Sequence, residues 1–436
     1  MPAADRYVPG HGNRRFAVRS YDLALDYKIA TNHLSGRAVL EIEAAETLDQ
    51  VGLDLYGLNV SRVRVDGRQA RYTHRERKLR IALATKAKAG TRLRVEVEYA
   101  GKPRPMPSVF GPVGWEELTD GVLVAAQPCG APSWFPCNDR PDDKASYRFA
   151  VTVADGYRVV ANGVLEGRAK RAGRTIWRFR QDEPMAPYLA VLHIGRYVST
   201  QAGARVELVH PRGIAVGAGT AFARQADMVD VFGELFGPYP FERYTAVIAA
   251  DVLEIPLEAQ TLSTFGVNHV APDWENERLV AHELAHQWFG NSLTAATWAD
   301  IWLHEGFACY SEWLWSEASG RRSAAEWASE HHRRLALLPQ DLVLGAPGRE
   351  LMFDDRVYKR GALTLHALRG VLGEAFFPML RAWTTANRWS TVTTPAFVAH
   401  AQHYTVADVA GLIDAWVYRA ALPWLADSPH APRVAG

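Results

Sequence analysis

Cysteine is nearly missing from this sequence: among 436 residues there are three, Cys129, Cys137 and Cys309. An odd count without a C-x-x-C pair excludes a disulfide framework and points to reduced thiols in a core. An excess of one charge is missing too, with 49 Lys and Arg against 48 Asp and Glu. A net charge of +1 gives no global field that would favour nucleic acid or an anionic membrane. Two local basic runs, residues 74–80 and 168–180, lie between β-like segments and read as solvated hairpins. Long apolar runs are absent as well. Residues 1–20 are polar with no hydrophobic signal region, and no stretch approaches a membrane span. These absences predict a cytoplasmic protein with neither a nucleic-acid nor a membrane partner. Internal repeats and low-complexity segments are also lacking.

What is present is the composition of an ordinary globular chain, 48% hydrophobic and 22% charged, long enough for two or three domains. The first ~195 residues read as β. Tyr21, Leu23, Leu25, Tyr27 and Ile29 alternate with polar or small residues, as do Ala38, Leu40 and Ile42, and Leu93, Val95, Val97 and Tyr99. Turn signals such as Ser35-Gly36 and Asn162-Gly163 separate them, which suggests a large antiparallel sandwich. Beyond ~200 the period lengthens. Residues 221–236 read as a helix, 244–250 as a buried strand and 257–265 as a further strand. A helix capped by Asp273 should close near Gly290-Asn291. The next should start near Thr297, with Asp300 three residues on, and carry Glu305 about two turns in. Thr394-Pro395 marks a later helix start. The expected fold is therefore α+β and multidomain, with a β-rich domain over 1–197 and a mainly helical one over 198–436.

Chemistry concentrates in His282-Glu283-Leu284-Ala285-His286. Two histidines four positions apart project from one face of a helix and can reach one metal ion. Glu305, after eighteen intervening residues, can complete a three-ligand zinc site with a position left for water. H-E-x-x-H occurs by chance in about a few per cent of such chains, and a Glu at one fixed later position reduces that about twentyfold. Glu305 also lies in the apolar run Trp302-Leu303-His304-Glu305-Gly306-Phe307-Ala308, where an unpaired carboxylate is costly and metal ligation resolves the cost. Glu283, beside a ligand but free of the metal, can act as general base. Asp300 is a candidate to hold a ligand histidine by its other ring nitrogen, with helix capping the equal alternative.

The stretch 279–310 resembles the gluzincin aminopeptidases, the family of aminopeptidase N and leukotriene hydrolase. His282 through Asn291 and Trp302 through Ala308 carry the match, with His304 where that family usually has Asn. Phe236-Gly237-Pro238-Tyr239-Pro240-Phe241 is similar to the family's strand entry. Phe135-Pro136-Cys137-Asn138-Asp139-Arg140-Pro141, with Lys144, is similar to its N-terminal-domain signature. The resemblance implies a thermolysin-like catalytic domain, one Zn2+ per chain and peptide substrates with a free N-terminus. It implies catalysis by Tyr358, in Tyr358-Lys359-Arg360-Gly361-Ala362, because a phenol beside the metal can donate to an oxyanion. It also implies that Glu258 binds the substrate's α-ammonium, with Gln127 sharing that task. The surrounding Ile255-Pro256-Leu257-Glu258-Ala259 keeps only the Glu of the family's Gly-Ala-Met-Glu-Asn. The sequence ends about 130 residues after Glu305, short of the family's long helical C-terminal domain. The rival readings are an endopeptidase with the same metal centre and a catalytically silent peptide-binding scaffold.

Overall fold

The computed structural model describes residues 5–425. Contacts divide the chain into two units: the chain up to Ala215 together with Phe241–Asn268, and Val216–Pro240 together with the chain from His269 on.

In the first unit, strand Phe16–Lys28 is central to an eight-stranded sheet. It pairs antiparallel with His33–Ala44, Tyr21 opposite Leu40 and Leu23 opposite Ala38, and parallel with Ala145–Ala154. Its alternating side chains Tyr21, Leu23, Leu25 and Tyr27 are all buried, as a half-solvated strand requires. The sheet is thus mixed rather than wholly antiparallel, because the two partners of the central strand are far apart in sequence. The basic runs fall in hairpins, Tyr72–Arg75 with Lys78–Ala87 and Val164–Arg171 with Arg174–Met185.

A second sheet of this unit orders Tyr197–Gln201, Val206–Pro211, Tyr244–Ile248, Leu262–Phe265 and Leu257–Ala259. This sheet continues past residue 197, where the first domain was expected to end. Strand Tyr244–Ile248 lies parallel to Val206–Pro211, and a parallel pair needs a long crossover. The crossover contains helix α1 (Gln225–Phe236), so the β unit resumes after helical chain has begun. The strand expected over 257–265 is a hairpin. Thr261, at φ +71°, turns the chain, and Glu258 faces Ser263 across the ladder.

The second unit is mainly helical. Besides α1 it contains α2 (Trp274–Ala285), α3 (Trp302–Ala318), α4 (Ala324–Ala336), α5 (Asp355–Leu372), α6 (Phe376–Ala386), α7 (Thr394–Gln402) and α8 (Val409–Ile413). Helix α3 is buried continuously from Trp302 to Ser316, the mark of a central helix. Helix α5 crosses it with backbones in contact. A Cβ on Gly306 would come within 2.8 Å of Gly361 Cα, so only glycine fits where Glu305's neighbour meets the segment after Tyr358. The rings of Phe289 and Phe307 stack with centroids 4.0 Å apart and carry that core beneath the metal-binding motif.

Helix ends differ from the sequence expectation in four places, the first being α1, which starts at Gln225 rather than at 221. Helix α2 does begin at the Asp273 cap, which accepts from Asn276 N at 2.9 Å, but it stops at Ala285, ahead of Gly290. Residues Trp298–Asp300 form a separate 3-10 turn with no side-chain cap from Thr297. Helix α3 starts only at Trp302 and places Glu305 in its first turn. The cap of α7 is Thr393, whose hydroxyl accepts from Ala396 N, with Pro395 inside the first turn. All three cysteines are buried and none is in a disulfide. Among the described residues no helix is long and apolar enough to cross a membrane.

Candidate metal centre and active site

Helix α2 presents His282 and His286 one turn apart, and the first turn of α3 brings Glu305 to them. Glu305 Oε2 is 3.4 Å from Nε2 of each histidine. The three ligand atoms lie within 4.8 Å of one another, and all three residues are buried. Tetrahedral ligands held about 2.0–2.2 Å from zinc would stand about 3.4 Å apart, so the donor set fits that ion. Two imidazoles and a carboxylate are also its usual nitrogen and oxygen donors.

Both histidines are oriented from behind. His282 Nδ1 donates to Glu312 Oε1 at 2.8 Å, and His286 Nδ1 donates to the Phe289 carbonyl at 3.0 Å. With the proton on Nδ1, Nε2 presents its lone pair to the metal position. Burial opposes charge on His282, but Glu305 and Glu312 override it and push the metal-free imidazolium up to about 9. Burial likewise opposes ionisation of Glu305, yet His286 and His282 hold its carboxyl well below the usual range. The site is therefore a buried pocket of compensated charge in which a divalent cation replaces protons.

Glu283 follows His282 on α2 and is 4% exposed, outside the three-ligand set. Tyr358, in the first turn of α5, stacks against the His282 ring with centroids 5.9 Å apart. In the first unit, Gln127 Nε2 donates to Glu258 Oε1 at 2.7 Å, which pairs the two residues expected to bind an amine.

The expectation that Asp300 holds a ligand histidine is corrected. Its Oδ1 accepts from the Thr394 hydroxyl at 2.6 Å and ties the 3-10 turn to the start of α7. The reason is the late start of α3, which leaves Asp300 outside the helix. Glu312 takes the position instead, and sequence reasoning passed over it. The available signal was its spacing, seven residues or two turns after Glu305 on the same helix face. His304 supports the backbone. Its Nε2 accepts from Ala295 N at 2.7 Å and fixes the loop after α2. Gly290 lies in that loop at φ +121°, where a Cβ would come 3.2 Å from His286 Nδ1, so glycine is required.

A buried His-His-Glu triad beside a second buried carboxylate is the equipment of a metal-dependent hydrolase. Comparison with known proteins narrows that class. The profile described as Peptidase family M1 domain matches residues 220–416, and the one described as Peptidase M1 N-terminal domain matches residues 18–189. An M1 zinc metallopeptidase from Deinococcus radiodurans is similar over 97% of this chain and 99% of its own, at 32% identity and a TM-score of 0.86. "Probable aminopeptidase 1" of Sulfurisphaera tokodaii is 26% identical over 83% of this chain and 47% of its own length. The "Leucyl aminopeptidase" of Saccharolobus solfataricus is 25% identical over 83% and 48%. The chain spans about half the length of these curated relatives. The chain belongs to the peptidase M1 family. Zinc is the metal of its solved relatives, and His282, His286 and Glu305 are the residues here that fit it.

Proposed function

We propose that this chain is a zinc aminopeptidase that removes the N-terminal residue from peptides with a free amine. The observation that carries the reading is the buried triad of His282, His286 and Glu305 with Glu283 next to it in sequence. Support comes from the aminopeptidase names of its relatives and from a Deinococcus radiodurans M1 metallopeptidase variant solved with a Tyr-Ser-Ala substrate.

Zinc, when bound, supplies a Lewis acid that polarises the scissile carbonyl and makes water acidic enough to attack near neutral pH. Glu283 accepts the proton of the attacking water and passes it to the leaving amine. Tyr358 donates a hydrogen bond to the oxyanion that develops on the carbonyl. Glu258, oriented by Gln127, takes the substrate's α-ammonium, and that fixed register makes the cut exopeptidic. Asp300 is left with a structural role. The protein would act in the cytoplasm, where reduced thiols such as those of Cys129, Cys137 and Cys309 persist.

Metal removal tests the reading. A panel of aminoacyl reporter substrates should be hydrolysed by the zinc-loaded chain, not by the chelated one, and again after stoichiometric zinc is restored. Hydrolysis that survives complete chelation would contradict it. Glu258→Ala should leave zinc bound, raise KM and lower kcat for free-amine substrates. The lost charge-assisted hydrogen bond is worth about 1.5–3 kcal/mol, or roughly 10- to 100-fold in kcat/KM. Unchanged kinetics would remove Glu258 from the amine site.

A further inference from the structure

We propose that Glu312 is the positioning residue of the metal centre, a single carboxylate on α3 that sets the His282 ligand and ties α2 to α3 behind it. The inference rests on the reading of His282, His286 and Glu305 as the metal's ligands.

Glu312 is on α3, two turns beyond Glu305, and is 3% exposed. Its Oε1 accepts from His282 Nδ1 at 2.8 Å, and its Oε2 accepts from Arg278 Nη1 at 3.3 Å. Both partners are on α2, Arg278 one turn before His282. Lys359, the residue after Tyr358 on α5, is in the same region. Its Nζ lies 3.5 Å from Cys309 Sγ on α3 and 3.7 Å from Asp355. Lys359, Arg278 and Glu312 share the wall of one cavity of about 300 Å³ with Trp313, Trp327 and His331. With the Arg278 guanidinium and the His282 ring N–H as its hydrogen-bond donors, Glu312 is placed as a carboxylate.

An ionised acceptor on Nδ1 does two things. It fixes the ring so that Nε2 faces the metal, and it raises the basicity of Nε2 as a ligand. A backbone carbonyl, such as the one His286 meets at Phe289, provides the first effect with less of the second. The two histidines are thus unequal ligands, with His282 the stronger.

Glu312→Gln keeps the shape and an acceptor oxygen but removes the charge. In the full chain it should weaken zinc binding by about 10- to 100-fold, read by competition with a chelator of known affinity. The cobalt-substituted protein should show a shifted visible absorption band, because the ligand field at His282 has changed. A purely structural role would lower the melting temperature of the metal-free protein and leave both readouts in place. Circular dichroism of the metal-free variant establishes that it is folded. If the Glu312→Gln variant does not fold, Glu312→Asp replaces it. Aspartate keeps the charge that Arg278 needs but is one methylene short of His282 Nδ1, and the same loss of zinc affinity is expected. Zinc affinity within about twofold of the unsubstituted chain in the folded variant overturns the proposal. Failure of the functional reading looks different: the unsubstituted chain would bind zinc tightly and cleave no aminoacyl substrate.

Discussion

Glu283→Gln should keep one zinc per chain and lose at least about a hundredfold of turnover, because general-base catalysis is worth ~10²–10⁴. The metal ligands are untouched by this change: the triad is His282, His286 and Glu305, and Glu283 lies outside it. Glutamine fills the same volume in a pocket where Glu283 is 4% exposed, so packing is conserved while the proton acceptor is gone. The contrast is with His282→Ala or His286→Ala, which should lose the metal as well as the activity. Metal content by mass spectrometry, measured beside kcat, separates the two classes of variant. A Glu283→Gln chain that keeps more than about a tenth of the original turnover would remove Glu283 from the role of base.

Tyr358→Phe should lower kcat by about 10²–10³ with little change in KM, since it removes one oxyanion donor and keeps the ring. The structure places that ring against His282, with centroids 5.9 Å apart and planes 23° from parallel. The contact of Gly306 with Gly361 holds α5 close enough to α3 for this to occur. Phenylalanine preserves the stacking, so zinc affinity and melting temperature should hold. An interaction made only in the transition state appears in kcat and not in KM. A Tyr358→Phe variant with unchanged kcat would leave Tyr358 as a packing residue at the start of a helix.

The features that were legible in the sequence are those set by local periodicity. The four-position step from His282 to His286 puts both on one face of any α-helix, whatever surrounds it. The alternation from Tyr21 to Tyr27 likewise predicted a strand with one buried face, and the structure has it. What was not legible depends on how separate elements cross. Asp300 was read either as a partner for a ligand histidine or as a capping carboxylate of a helix beginning near Thr297. The chain instead makes a 3-10 turn there and sends the carboxylate to Thr394. Glu312 was overlooked for the complementary reason. Its contact with His282 exists only where α3 lies against α2, and the spacing from Glu305 was the one local signal. The sheet that continues past residue 197 was not legible because a parallel strand pair hides its partner behind the helix that connects them. Glu258 and Tyr358 were proposed through resemblance to a family, since no spacing rule assigns a catalytic or binding role to a lone Glu or Tyr.

The most direct test of the central claim uses one peptide in two forms, with a free and with an acetylated N-terminus, incubated with the zinc-loaded chain and read by mass spectrometry. The account predicts stepwise loss of single residues from the free peptide and an intact acetylated one. Internal cleavage of the acetylated peptide at a comparable rate would contradict it and assign the same metal centre to an endopeptidase.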